Sequence, residues 1–170
     1  MNFLEQLTAE WYAYRGWFVR TNIKFGRRKL GGWEGEMDVI AYNPKTETLR
    51  HIETSTDAHS WDIRKKCFLR KFTTAKPHYG DVFPVHRKHT EQVAVVGFHK
   101  PKAKTVFSDS ITIILVPDFI REITVVLSNL DPMNNAVPET YPLLRAVQYA
   151  SFYSKSRPIS MQGKTRKKSV

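Results

Sequence analysis

With 170 residues, 41% of them hydrophobic and including 4 Trp, 7 Tyr and 10 Phe, the chain has the means for one compact domain and is too apolar for disorder. Lys and Arg number 27 against 16 Asp and Glu, a net charge of +11 that directs attention to polyanionic partners. The single cysteine, Cys67, excludes an internal disulfide and a Cys-rich zinc site, and the longest apolar runs, Val93–Phe98 and Ile111–Val116, are too short to span a bilayer.

In chain order, Phe3, Leu4, Leu7, Trp11 and Tyr14 recur at helical spacing and predict a helix over 2–15, stopped by Gly16. Glu5 and Glu10 interrupt the start of the chain, which reads as no signal peptide and a cytoplasmic protein. Trp17–Phe25 is rich in strand formers. Arg27-Arg28-Lys29 with Gly31-Gly32 reads as a basic loop. Met37–Tyr42 and Leu49–Thr54 form a hairpin around Asn43-Pro44-Lys45-Thr46, a sequence suited to a type I turn with Pro at its second position. Trp61–Thr73 reads as a helix, Gln92–His99 as a strand followed by Pro101 and a Lys-rich loop, and Ile111–Val116 as another strand. Asp118–Ser128 and Tyr141–Tyr153 read as helices. Residues 154–170 are basic with almost no core residues and read as a disordered tail after a single domain over 1–153. The expected class is α/β, a mixed sheet flanked by helices.

The hairpin carries acids among apolar residues, and an unpaired buried charge is costly. Side chains alternate along a strand, so Asp38, Ile40 and Tyr42 share one face, as do Leu49, His51, Glu53 and Ser55. If the turn centres between Lys45 and Thr46, Asp38 lies opposite Glu53, with Cβ atoms about 5 Å apart. A turn centred one residue earlier puts Asp38 opposite His51. Two such carboxylates suit Mg²⁺, a hard cation that prefers oxygen ligands. The plainer alternative is an edge hairpin with solvated acids.

Gly35-Glu36-Met37-Asp38-Val39-Ile40-Ala41 and Ile52-Glu53-Thr54-Ser55 resemble the G-E-x-D-hydrophobic strand and the E-x-K strand of the PD-(D/E)XK nuclease superfamily. Glu5, eleven residues before Gly16, has a spacing similar to that of small bacterial and archaeal members, including Holliday-junction resolvase-like proteins. The resemblance covers about residues 3–100. It implies a restriction-endonuclease-like fold with an α-β-β-β-α-β core. It also implies Mg²⁺ (with Mn²⁺ as a substitute) on Asp38, Glu53 and the Thr54 carbonyl, activating water against a phosphodiester. Glu5 is the candidate third acid of the site, with Glu10 its competitor.

Ser55 departs from the family pattern, standing where a lysine is expected. Some members carry this lysine on the following helix. There, Trp61, Lys65, Phe68 and Phe72 fall on one stripe, so Lys65 is the candidate cation; the alternative is a lysine whose stem only covers Phe68. Glu36 is read as a supporting acid or a solvated one. His51 and His59 are read as candidate bases or structural residues, and Asp57 and Ser60 as helix caps. Arg27, Arg28, Lys29, Arg64, Lys66, Arg70 and Lys71 are expected to grip backbone phosphates. The leading expectation is a metal-dependent DNA endonuclease, acting alone, as a homodimer or with partner subunits. The alternatives are a silent nucleic-acid-binding module on the same fold and a subunit of a larger nuclease or recombination complex.

Overall fold

The computed structural model describes residues 2–97, 107–108 and 110–156, without the side chains of 155 and 156. Helix α1 (Phe3–Tyr14) leads into strands β1 (Phe18–Arg27), β2 (Trp33–Asn43) and β3 (Thr48–Ser55). Helix α2 (Trp61–Ala75), a 3₁₀ turn over Lys76–His78 and a short helix α3 (Tyr79–Val82) follow. Strands β4 (His89–Val96) and β5 (Ile111–Leu115) and helices α4 (Val116–Leu127) and α5 (Pro142–Ser156) complete the fold. The order of elements follows the expectation, with strands longer than expected at the hairpin. The turn after α2 was not anticipated, because Pro77 and Gly80 break the helical pattern there. Helix α5 continues past the expected boundary at 153. The rest of the expected tail, as well as His99, Pro101 and the Lys-rich loop, lies outside the described residues.

The strands form one mixed sheet in the order β1-β2-β3-β4-β5. The first three are antiparallel, and β3, β4 and β5 are parallel. Parallel neighbours need a crossover, and α2 with α3 supplies the one between β3 and β4. One face of the sheet, with Val39, Ala41, Ile52, Val93 and Val95, packs on α1, α4 and α5 through Leu4, Trp11, Phe119, Ile123 and Leu144. The other face packs on α2 and α3. Ile40, Tyr42 and Leu49 meet Ala75, Tyr79 and Val82, and Ala94 and Val96 meet Phe68 and Phe72. Among the described residues no helix is long and apolar enough to cross a membrane.

Two local features shape the region of interest. The β2–β3 ladder pairs Asn43 with Thr48 and Val39 with Ile52. This is the register in which the turn centres between Lys45 and Thr46, and its continuation sets Asp38 opposite Glu53. Asn43 Oδ1 accepts the Lys45 amide at 2.9 Å, and Glu47 takes a left-handed conformation (φ 51) to close the loop. The β1–β2 ladder is interrupted at two left-handed residues of β1, Asn22 (φ 53) and Gly26 (φ 65). The first interruption falls opposite Asp38.

Candidate metal and phosphodiester site

Asp38 and Glu53 leave β2 and β3 on the face covered by α2, and both are buried, Glu53 completely. Neither is a solvated acid of an edge hairpin. Each has one oxygen fixed by the protein and one directed to α2. Asp38 Oδ2 accepts the Thr54 amide at 2.9 Å, while Asp38 Oδ1 lies 3.1 Å from Lys71 Nζ. Glu53 Oε1 lies 2.7 Å from His51 Nε2, and Glu53 Oε2 also bonds Lys71 Nζ. One ammonium therefore joins both carboxylates.

A chain of hydrogen bonds holds Glu53 from behind. Gln92 Nε2, which can only donate, bonds Tyr79 Oη at 3.1 Å. The Tyr79 hydroxyl is then free to donate to His51 Nδ1, 2.9 Å away. His51 turns its other ring nitrogen to Glu53. The imidazole is fully buried between the Phe72 and Tyr79 rings, whose centroids lie 4.9 and 5.4 Å from its own. His51 is thus a structural holder of the acid, one of its two expected readings. Replacing Tyr79 with Phe leaves both Gln92 Nε2 and His51 Nδ1 short of a partner at a buried site. We expect a loss of about 1–2 kcal/mol in urea unfolding at neutral pH, and an unchanged value would mean the chain carries no stability.

The charges follow from this packing. Burial first, and the neighbouring Glu53 charge second, push the Asp38 carboxyl up to about 7, although Lys71 and the Thr54 amide oppose them. Burial also pushes Glu53 upward, but its bonds to His51 and Lys71 outweigh that and hold it below the ordinary carboxylate range. Burial acts to lower Lys71, and the two acids more than reverse it, so the ammonium is retained. Burial drives the Tyr79 phenol up to about 12, keeping its proton in the chain.

Lys71 stands at the meeting of two clefts. The first, of about 670 Å³, is lined by Arg28, Glu34, Glu36, Asp38, Arg70 and Lys71 among others. The second, of about 340 Å³, is lined by Thr54, Ser55, His59, Arg64, Arg70 and Lys71 among others. Arg70 and Lys71 border both.

Several expected site residues are placed elsewhere. Lys71, not Lys65, reaches the acids. The buried stripe of α2 is Arg64, Phe68, Phe72 and Ala75. With about 100° per residue, Lys71 lies about 60° to one side of Phe68 and Lys65 about 60° to the other. The acids lie on the Lys71 side, and Lys65, half-buried, lines neither cleft. Glu5 belongs to α1, which packs on the opposite sheet face. It closes a capping box with Asn2 and lines neither cleft. Glu10, its competitor, is buried and caps α5, with Oε2 accepting the Leu144 amide at 2.8 Å.

Arg64 does not face solvent as a phosphate grip would. It is buried and bonds Asp57 Oδ1 at 3.1 Å, the Asp57 carbonyl, and the Gly97 carbonyl at 3.4 Å, pinning the loop before α2. Asp57 receives that arginine, the Ser55 hydroxyl and the His59 amide rather than capping the helix. Ser60 occupies the N-cap position of α2, but its side chain makes no cap bond. Thr54, expected to offer its carbonyl, is seen to hold Asp38 through its amide. Arg27, Arg28, Lys29, Lys66 and Arg70 are exposed. Tyr79 and Gln92 carried no sequence signal, whereas the alternation of His51 with Glu53 already put them on one face.

Among the described residues no group of three or more His, Cys, Asp or Glu side chains is gathered as a metal cluster. The donor set nevertheless fits a hard divalent cation: two carboxylate oxygens, Asp38 Oδ1 and Glu53 Oε2, meet at one point beside open clefts. Mg²⁺ and Mn²⁺ are commonly held by one or two carboxylates with water completing the shell. Compared with protein-family models, with curated proteins and with solved structures, the chain gives no significant match.

Proposed function

We propose that this chain is a metal-dependent DNA endonuclease of PD-(D/E)XK type on a restriction-endonuclease-like fold. The observation that carries the reading is the Lys71 ammonium clasped by the buried carboxylates of Asp38 and Glu53, at the junction of two clefts bordered by Arg28 and Arg70. The element order α1-β1-β2-β3-α2-β4, with an antiparallel hairpin beside a parallel crossover, supports it.

A bound Mg²⁺ or Mn²⁺ would polarise a phosphate oxygen and acidify an attacking water. Asp38 and Glu53 would hold it with the oxygens that now engage Lys71. His51 and the Thr54 amide keep those oxygens aimed by occupying the other two. Lys71, on a flexible four-carbon stem, would swing from the carboxylates to the scissile phosphate and stabilise the charge that grows there. It does the work that Ser55, tied to Asp57, cannot. Arg28 and Arg70 would hold the flanking phosphates, a contact that carries no sequence information and weakens steeply with salt.

Supercoiled plasmid incubated with the protein and Mg²⁺ or Mn²⁺ tests the reading. Nicking by the wild type that disappears with EDTA and in Asp38→Ala and Glu53→Gln is expected. If the wild type cuts no faster than Glu53→Gln, the enzyme reading fails. Salt-dependent DNA binding without cutting would then favour a silent binding module, in which Lys71 permanently bridges the two acids.

A further inference from the structure

We propose that the tip of the β1–β2 hairpin is a wedge that enters a groove of duplex DNA and inserts Leu30 between neighbouring base pairs beside the cleft. The inference rests on the nuclease reading and deepens it, because it assigns a substrate class: duplex that is kinked or easily unstacked.

Leu30 is completely exposed (102%), with no part of its side chain shielded by the fold. At the loop tip this large aliphatic side chain packs against nothing in the folded monomer. Three consecutive exposed cations, Arg27, Arg28 and Lys29, precede it, and Trp33, 45% exposed, pairs with Arg27 across the last rung of the ladder. A run of cations leading into a projecting apolar residue matches what one strand of a kinked duplex offers: backbone phosphates next to an opened base step.

The tip is narrow and closed on itself. The Arg28 amide donates to the Gly32 carbonyl and the Gly31 amide to the Arg28 carbonyl, each at 3.1 Å. Gly31 and Gly32 are left-handed (φ 91 and 82), and a Cβ placed on either would meet no atom within 4 Å. The tip is therefore thin where it must pass between the strands of a groove. Its position relative to the acids is also suitable, since Arg28 lines the cleft that holds Asp38 and Lys71. A membrane surface, the other partner that cations and an apolar tip suit, would leave that cleft without a role.

The experiment places 2-aminopurine at each step of a short duplex and measures fluorescence in EDTA, where no cutting occurs. A several-fold rise with the wild type is expected, lost in Leu30→Ala and kept in Leu30→Met, with affinity for DNA changed less than about threefold. In Mn²⁺, Leu30→Ala should cut intact duplex about tenfold more slowly than the wild type and recover on a duplex carrying a one-base bulge. Fluorescence that rises without any cutting would support the wedge and refute the nuclease. Cutting that is equal in wild type and Leu30→Ala, without a fluorescence change, would overturn the wedge and leave the nuclease standing. Binding to phosphatidylserine vesicles that depends on Leu30, with no fluorescence change on DNA, would also overturn it.

Discussion

On the proposed nuclease reading, Lys71→Met is expected to slow DNA cleavage by about 10²–10³-fold, the usual effect of removing one charge aimed at a transition state. Lys65→Met should stay within about threefold of the wild type. The two lysines sit on one helix six residues apart, and only one touches the acids. The variant has a second signature. In the metal-free protein the ammonium competes with any cation for Asp38 Oδ1 and Glu53 Oε2. Removing it should therefore tighten Mn²⁺ binding even as turnover collapses. It should also lower the stability of the metal-free fold, because two buried acids lose their partner, by about 1–3 kcal/mol, a cost reduced because the ammonium is itself partly in solvent. Added Mn²⁺ should recover most of that loss. Single-turnover nicking and Mn²⁺ titration by electron paramagnetic resonance read the two effects separately. Weaker Mn²⁺ binding in Lys71→Met, or an equal loss in Lys65→Met, would contradict the assignment.

Stability should fall, not rise, as the metal-free protein passes from pH 5 to pH 8. Asp38 carries the effect, its carboxyl pushed up to about 7 by burial and by Glu53. Its folded value lies above the ordinary one, so between about pH 4 and 7 the folded protein holds a proton that the unfolded chain has released. That contribution is complete below pH 4 and gone above 7. Glu53 works in the opposite sense, being held below its ordinary value. Its contribution is present above the unfolded value and lost only as pH falls through the lower folded one, outside this window. Lys71, raised by the two acids, loses its contribution only in the alkaline range. The Asp38 effect is on the order of 3 kcal/mol, or about 5–10 °C in Tm for a chain of this size. Asp38→Asn keeps a side-chain acceptor for Lys71 or for the Thr54 amide but has nothing to titrate. Calorimetry at pH 5 and pH 8 should find its Tm nearly level where that of the wild type falls. A wild-type Tm that climbs over the same interval would show that Asp38 is not held protonated.

The acids were legible because both constraints on them are local. Strand alternation put His51 and Glu53 on one face, and the Asn43–Thr46 turn chose the register that brings Asp38 opposite Glu53. The helix that completes the site was legible only as a helix. Lys65 and Lys71 flank Phe68 symmetrically, and periodicity gives a stripe without saying which flank meets the sheet. Arg64, buried against Asp57 and Gly97, lies on the Lys71 side of the stripe and marks the flank that meets the sheet. An arginine is by default assigned to solvent, so its sequence signal pointed the wrong way. Glu10 likewise shows its role only once α5 is known to begin against α1. Tyr79 and Gln92 come together from the start of α3 and the middle of β4, 13 residues apart, and no local pattern joins them.

The β1–β2 hairpin is held to the molecule unevenly. Beyond Val39, β2 has no β3 neighbour, and the ladder to β1 is itself broken at Asn22 and Gly26. A two-stranded ribbon is marginal by itself. What steadies this one is a side chain: Phe25 stacks 5.0 Å from the His78 ring and covers Gly35 so closely that a Cβ there would come within 2.5 Å of it. The His78–Glu34 ion pair at 3.5 Å joins Phe25 in tying the ribbon to the 3₁₀ turn after α2, so the ladder does not hold it alone. Changes beneath Phe25 are therefore expected to shift the hairpin tip relative to α2 without altering Leu30 or Lys71 themselves.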